Sequence, residues 1–418
     1  MDHEQAMKIL FLSDNFPPEV NAPATRLHEH AKRWVAAGHE VTVITCAPNF
    51  PEGRVYEGYR NAWRRVETVD GIRVVRVKTY ITANEGFLKR TLDYLSFAFM
   101  SVLVGAFEKR PDVVVATSPQ FFAACGGWVL SLLKRRPFVF ELRDLWPASI
   151  AAVGAMRQSR VLRWLEKLEL FLYRRARAVI TVTEAFKKDL VERGIEASKI
   201  HVVINGVDLE RYRPMERSPE LSAEFGLDGK FVAGYIGTHG MAHALDKVLD
   251  AAALLRDRDD IRFLMVGGGA ERANIERIAA ERGLANVVFV PRQPKERMPA
   301  IWSLCDVAIV PLRDNPVFAT VIPSKIFECM GMGIPVLLSL PDGEASRIVH
   351  DTDCGVCIPP EDPGSMSRTI TALSDDRRLL RKHAESSLVA SQANSREQKA
   401  RSMITILTGC VALPCKSV

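Results

Sequence analysis

Several things are scarce in this 418-residue chain, and each scarcity removes a class of function. No long basic run interleaved with aromatics occurs, and a net charge of +6 is too mild for a nucleic-acid footprint, so nucleic acid is not an expected partner. The opening MDHEQAMKILFLSD puts acids before a four-residue apolar run, which lacks the basic start and long apolar core of a signal peptide; the expected location is cytoplasmic. Eight cysteines are scattered along the chain, and the single CxxC pair, Cys354 and Cys357, has no second pair at zinc-site spacing. We read it as incidental, with Gly355 placing it in a turn. No short-period repeat is visible, and no DxD stands in a suitable strand-end loop, so neither a metal nor any other cofactor is expected. His28, His30 and His39 read as surface residues rather than metal ligands.

What is present is ordinary globular composition, 47% apolar and 25% charged, over a length that calls for two domains of roughly 200 residues. Met7 to Ser13 reads as a buried strand, a helix follows from about Thr25 to Ala37, and Glu40 to Thr45 is the next strand. That is the βαβ unit of a parallel, doubly wound sheet. Further strands read at 74–77, 113–117, 138–142, 178–182 and 201–204. After Asp208 the chain turns polar and Pro-bearing, and a second alternating series begins at Val232. The division expected is an N-terminal acceptor-side domain over 1–210, a linker over 211–230, a nucleotide-sugar-binding domain over 231–390, and a tail over 391–418 that crosses back to the first domain.

The stretch 306–355 is the most informative. Val307 to Pro311 is a buried-strand run, Pro323 suits a helix first turn, Gly331 and Gly333 end that helix, and Pro335 to Leu340 returns as a strand. Open parallel sheets bind ligands at such strand ends. Lys325 and Glu328 stand three apart on one helix face, opposite Ile326, Phe327 and Met330, and are expected to look outward. The helix N-terminus with Ser324 and Lys325 suits an anion, and Glu328 suits sugar hydroxyls, so a ribose-bearing nucleotide diphosphate is the natural guest. An ordinary amphipathic helix with a surface Lys and Glu is the alternative reading of these residues alone.

Two such domains facing each other across a cleft make the GT-B architecture, and the chain resembles a family-four retaining glycosyltransferase. The resemblance is carried by FPPEVNAPATRLHEHAKRWVAAGHEVTVIT, PDVVVATSPQ, FVFELRDLWP, INGVD, YIGTHGMAHALDKVLDAA, FLMVGGGAERANIERIA and IPSKIFECMGMGIPVLLS, covering almost the whole chain. The detail of ELRDLWP, GTHGMAHALD and TVIPSKIFE is similar to the bacterial subgroup that builds O-antigens and capsules, including N-acetyl-L-fucosamine transferases.

The family pattern implies two glutamates eight residues apart. Glu328 matches the one on the ribose; Thr320 stands where the one on the donor sugar would be, leaving the backbone amides of Val321 and Ile322 to serve instead. Relatives carry an Arg and a Lys after the first strand of the second domain, where this chain has Gly237, Thr238, His239 and His243, with Gly267 ending the next strand. Lys325 is then the leading cation for the diphosphate, and Arg292 either adds another, frames the base or is a solvated loop residue. In the first domain, relatives have glycines where this chain has Asn21, Ala22 and Pro23. Glu141, Arg143 and Asp144 cluster where relatives place a His and Asp pair; Asp144 is expected to orient the acceptor hydroxyl and Arg143 to hold an acceptor phosphate, unless they are a strand-end ion pair.

The resemblance implies a nucleotide-sugar donor, a glycan or polyprenyl-diphosphate-sugar acceptor, and a leaving phosphate that itself takes the acceptor's proton. The segment 87–107 has an apolar core of about 13 residues, short of the span of about 20 that crosses a bilayer, preceded by Lys89 and Arg90. Peripheral contact with the inner face of the cell membrane and a buried domain helix are both open readings of it. Two further functions stay open: a UDP-sugar 2-epimerase-like isomerase, whose Gly-Thr-Arg-Pro-Glu loop Asp14 to Glu19 does not match, and a non-catalytic sugar-nucleotide-binding protein, to which Thr320, Thr238 and Arg143 point by departing from the family pattern.

Overall fold

The computed structural model describes residues 6–50, 52–82, 87–118, 120–145 and 160–412. Trp146 and Pro147 of the ELRDLWP run and the last six residues of the tail lie outside them. The chain forms two compact units: residues 1–204 with 397–418, and residues 205–396.

The first unit is built on eight strands: β1 (Lys8–Leu12), β2 (Glu40–Cys46), β3 (Arg64–Val69), β4 (Ile72–Val77), β5 (Val113–Thr117), β6 (Phe138–Leu142), β7 (Ala178–Thr181) and β8 (Ile200–Val202). Their order is β3-β4-β2-β1-β5-β6-β7-β8, parallel throughout except for β3, which pairs antiparallel with β4. β3 went unread in the sequence because its charged RRVET pattern suits an edge strand with little burial. Period-2 alternation sends successive β1 residues to opposite faces. Leu10 and Leu12 join Ile44, Val75, Val114 and Phe140 in one cluster, while Ile9 and Phe11 join Val43, Val74 and Val115 in the other. The helix Ala22–Ala36 covers the second cluster, with Leu27, Ala31 and Trp34 buried. So does the C-terminal helix Arg396–Ala412, through Met403, Ile404 and Leu407. The Trp34 indole N–H donates to the Ala400 carbonyl at 2.9 Å, which fixes that helix in place. The run ILTGC thus supplies core to the first unit.

The second unit has six parallel strands: β9 (Phe231–Thr238), β10 (Ile261–Gly268), β11 (Val287–Val290), β12 (Val307–Pro311), β13 (Val336–Ser339) and β14 (Gly355–Ile358). Their order is β11-β10-β9-β12-β13-β14. Cys357 therefore sits in a strand rather than a turn, because β14 pairs with β13 through Leu338 opposite Cys357. All cysteines among the described residues are free thiols. The stretch read as a linker is packed into this unit: Arg217 donates to Asp306 at 2.6 Å and to the Lys230 carbonyl at 2.8 Å.

Two of the three histidines read as surface residues are interior. His30 is 1% and His39 is 4% exposed, and the His39 Nδ1 accepts from the Met7 N–H at 3.2 Å, joining the turn after the first helix to β1.

Candidate functional site

The second sheet changes direction at β9. The chain passes from β9 to β10 and β11 on one side and returns to β12 on the other, so the loops leaving β9 and β12 diverge at this switch point, where open α/β sheets take ligands. Two glycines shape the place. Gly237 and Gly267 are opposite one another in the β9–β10 ladder, with φ of +146° and +144°. A Cβ on Gly267 would fall 1.8 Å from the Gly237 carbonyl oxygen, and one on Gly237 would fall 2.5 Å from Cε and 2.8 Å from Nζ of Lys325. Only glycine lets the Lys325 amine lie against the β9 backbone. The His239 N–H bonds the Gly268 carbonyl and the Glu271 N–H bonds the His239 carbonyl, both at 2.9 Å, which locks the β9 and β10 loops together.

Lys325 opens the helix Lys325–Met332. Its side chain turns back to place Nζ 3.9 Å from the centre of the Tyr235 ring. The expectation that Lys325 and Glu328 look outward is corrected here: both are half-buried, Lys325 against Gly237 and the Tyr235 ring and Glu328 against Trp302. Burial pulls the Lys325 pKa down to about 8 against the opposing effect of Glu328. Burial raises the Glu328 carboxyl, while a hydrogen bond from Trp302 and the charge of Lys325 hold it back. That bond runs from the indole N–H of Trp302 to Oε2 of Glu328 at 3.2 Å. The backbone N–H groups of Val321, Ile322, Ser324 and Lys325 find no acceptor among the described residues. The place therefore combines one ammonium, several open amide donors and a carboxylate a turn further on, a set matched to a diphosphate joined to a hydroxyl-bearing group.

Thr238 is exposed, whereas His239 is fully buried and His243 half-buried. The pKa of His239 is pushed down to about 4 by burial and by the charge of Arg272, and that of His243 to about 4 by burial and by the charge of Lys325. Both are neutral near pH 7 and act as polar walls rather than cations. Thr320 turns its hydroxyl to the Val317 carbonyl at 2.8 Å. Arg292 is exposed on its loop. The arginine beside Gly267 is instead Arg272, which donates to the carbonyls of Gly267 and Val290, each at 2.8 Å. Sequence reading passed over it, although GGGAER put it one turn from the glycines.

In the first unit, Asn21 caps the Ala22–Ala36 helix by accepting from the Ala24 N–H at 3.0 Å, and Ala22 is exposed. Arg143 and Asp144 are half-buried just past β6, with their backbone N–H groups bonded to the Ser118 hydroxyl at 2.7 and 3.3 Å. Glu141 is paired within the first unit. It is 2% exposed and accepts from the Arg26 Nε at 3.0 Å, while the other Arg26 nitrogens donate to the Val203 and Ile204 carbonyls. Burial opposes the charged form of Glu141, but Arg26 and Arg143 outweigh it and keep the carboxyl below its ordinary range. No periodicity marks Arg26, since its partners lie more than a hundred residues away.

Two family patterns match in tandem: a Glycosyl transferase 4-like domain over residues 21–206 and Glycosyl transferases group 1 over residues 218–387. The chain is a glycosyltransferase of this family-four, GT-B kind. It is 27% identical over 395 residues to WcaI of Escherichia coli (strain K12), which carries the name of a colanic acid biosynthesis glycosyl transferase; the match covers 91% of this chain and 96% of that one. It is 25% identical to a GDP-mannose-dependent alpha-mannosyltransferase of Mycobacterium tuberculosis, over 82% of this chain and 80% of that one. Among solved structures it resembles the sucrose-phosphate synthase of Thermosynechococcus elongatus, with a TM-score of 0.78 and 18% identity over 97% and 99% of the two chains. It also resembles HepE of Anabaena bound to UDP-glucose, with a TM-score of 0.70 and 19% identity over 96% and 100%. Identities this low carry the fold.

Proposed function

We propose that this glycosyltransferase moves a hexosyl or N-acetylhexosaminyl group from a UDP-sugar to a glycan or polyprenyl-diphosphate-linked sugar, with retention of anomeric configuration, in the synthesis of a bacterial surface polysaccharide such as an O-antigen or capsule. The observation that carries the reading is Lys325 held against Gly237 beside open backbone amides, a cationic place built for a diphosphate. A departing diphosphate gains charge as the sugar bond breaks, and fixed donors that meet that charge favour the transition state over the ground state. Glu328 takes the ribose hydroxyls, and Val321, Ile322 and Thr320 border the sugar. On the acceptor side, Asp144 orients the attacking hydroxyl and Arg143 meets an acceptor phosphate. UDP is favoured as the leaving group because HepE, of the same fold, has been seen with UDP-glucose, and the polysaccharide role because WcaI carries such a name.

The same reading places the protein on the inner membrane face. On the helix Phe87–Gly105, Leu92, Leu95 and Phe99 are 55, 44 and 66% exposed along one side, after Lys89 and Arg90, while Phe97, Met100 and Val104 are buried on the other. Among the described residues no helix is long and apolar enough to cross a membrane, and a stripe of this kind beside cations suits lying at an anionic surface. The test is turnover of UDP-hexoses and UDP-N-acetylhexosamines by the full chain with a bacterial lipid extract, the new anomeric centre read by NMR. A product with the donor's configuration supports the proposal; an inverted product, or no nucleotide sugar consumed, contradicts it.

A further inference from the structure

One guanidinium ties together three loops at the carboxyl edge of the second sheet. Arg313 follows β12, and its backbone N–H donates to the Ala242 carbonyl at 2.9 Å, in the loop that leaves β9. Its Nε donates to the Met241 carbonyl at 3.2 Å, and its two terminal nitrogens grip the Asp246 carboxylate, Nη1 at 3.2 Å and Nη2 at 2.7 Å. Nη1 also reaches Oε1 of Glu361 at 2.7 Å, just past β14, while Oε2 of Glu361 accepts from the Asp314 N–H at 2.9 Å. Met241, Asp246 and Glu361 stand 72, 67 and 48 residues from Arg313 along the chain, so only the fold supplies them. An isolated surface ion pair contributes little, but here a planar fork is engaged at Nε and at both terminal nitrogens.

What the tie fixes lies beside Lys325. Met241, Ala242 and Asp246 bracket His243, whose ring centre is 6.0 Å from that of Tyr235, and the Lys325 amine lies 3.9 Å from the same Tyr235 ring. Ala244, within the bracket, is a non-glycine residue at φ +46° and ψ +39°. Such a backbone persists only where its surroundings over-determine it, and Arg313 holds the chain on both sides of it. The titratable groups around the amine are Tyr235, His239 and His243 from the β9 side, and Glu328 and Cys329 from its own helix. Burial outweighs Glu328 and Cys329 at this amine, so its titration reports how closely the wall is shut.

We propose that Arg313 is a positioning residue for the Lys325 amine: by tying the loops after β9, β12 and β14 it keeps the His239–His243 segment closed against that amine and, resting on the donor reading above, against the diphosphate. NMR of the lysine Cε carbons on the full chain, with the Lys325 signal identified by its loss in Lys325→Arg, tests it without a nucleotide. The wild-type amine is expected to titrate at about 8 and, in Arg313→Ala, to move upward toward the ordinary value of about 10.4 as water reaches it. Glu361→Gln, which loosens Arg313 from its other side, is expected to move it the same way by less. A field effect alone would split the two variants, since losing a positive charge raises the titration and losing a negative one lowers it. Arg258→Ala breaks bonds of the same kind to Asp260 and Asp375 at the amino edge of the sheet, and should leave Lys325 unmoved. At neutral pH, UDP affinity should fall about tenfold in Arg313→Ala, recover in part in Arg313→Lys, whose single ammonium cannot fork, and hold in Arg258→Ala. A Lys325 titration alike in wild type and Arg313→Ala, or opposite movements in Arg313→Ala and Glu361→Gln, overturns the positioning. Should Arg313→Ala not fold, Glu361→Gln decides it by the same signal, upward movement supporting it and any other result overturning it. A wild type that binds no UDP overturns the donor reading instead, and the titration still decides this one.

Discussion

Trp302 and Glu328 are joined by a hydrogen bond of 3.2 Å from the indole N–H to the carboxylate, and the indole is itself fully buried. The bond aims a carboxyl that burial would otherwise push toward its neutral form. Trp302→Phe keeps most of the packing and removes the donor, so UDP affinity should fall roughly tenfold, since bonds to charged groups are worth about 1.5–3 kcal/mol. Titration calorimetry with UDP reads this directly; unchanged affinity would show that the aim of Glu328 does not matter to the nucleotide.

Glu328→Gln goes further. A carboxylate accepts from two ribose hydroxyls, whereas the amide presents one acceptor and two donors. Donor affinity should drop by about ten- to a hundredfold with little change in melting temperature, because bonds to ionised groups are about twice as strong as neutral ones. Equal drops in the affinities for UDP and 2′,3′-dideoxy-UDP would count against the ribose contact.

Lys325 sets a pH dependence. With its pKa at about 8, the free protein loses this charge as pH rises through that value, so UDP affinity should decline above it. The unfolded-state value of about 10.4 lies higher, so the group opposes folding below about pH 8 and this penalty is relieved as pH rises between the two values. Lys325→Arg should abolish the alkaline decline in affinity. His239 and His243, at about 4, should add no step between about pH 5 and 7. An affinity profile flat to about pH 10 would remove Lys325 from the diphosphate.

The glycines give a stability contrast. Gly267→Ala sets a Cβ 1.8 Å from the Gly237 oxygen at a φ of +144°, and should cost roughly 3 kcal/mol in denaturant unfolding. Gly268→Ala, with open space around it, should leave stability unchanged or slightly raised. Equal effects would mean that the β9–β10 loop relaxes freely.

Phe99→Glu replaces the most exposed member of the Leu92, Leu95, Phe99 stripe with a charge. Flotation with anionic vesicles should show binding by the wild type that the variant loses, while UDP affinity stays as it was. Retained flotation would place the membrane contact elsewhere.

Both parallel sheets and the loop–helix around Lys325 were legible because buried parallel strands are continuous apolar runs and because Pro323, Gly331 and Gly333 punctuate the helix. What pattern could not supply was pairing at a distance. Arg26 with Glu141 and Trp302 with Glu328 are joined only by the fold. Burial of Lys325 was hidden for the same reason: a helix face says which residues share a side, not what the β9 loop brings against them. β3 and β14 were missed because an exposed edge strand and a short strand of mixed burial lack the apolar run.

The central claim is that the switch point of the second sheet holds a nucleoside diphosphate through Lys325. Thermal unfolding with UDP, GDP and dTDP, on the wild type and on Lys325→Met, tests it most directly. The account predicts that UDP stabilises the wild type, by roughly 2.7 kcal/mol at a hundred times its Kd, and stabilises Lys325→Met far less. A wild type indifferent to all three nucleotides, or a Lys325→Met variant that responds to UDP as the wild type does, would contradict it.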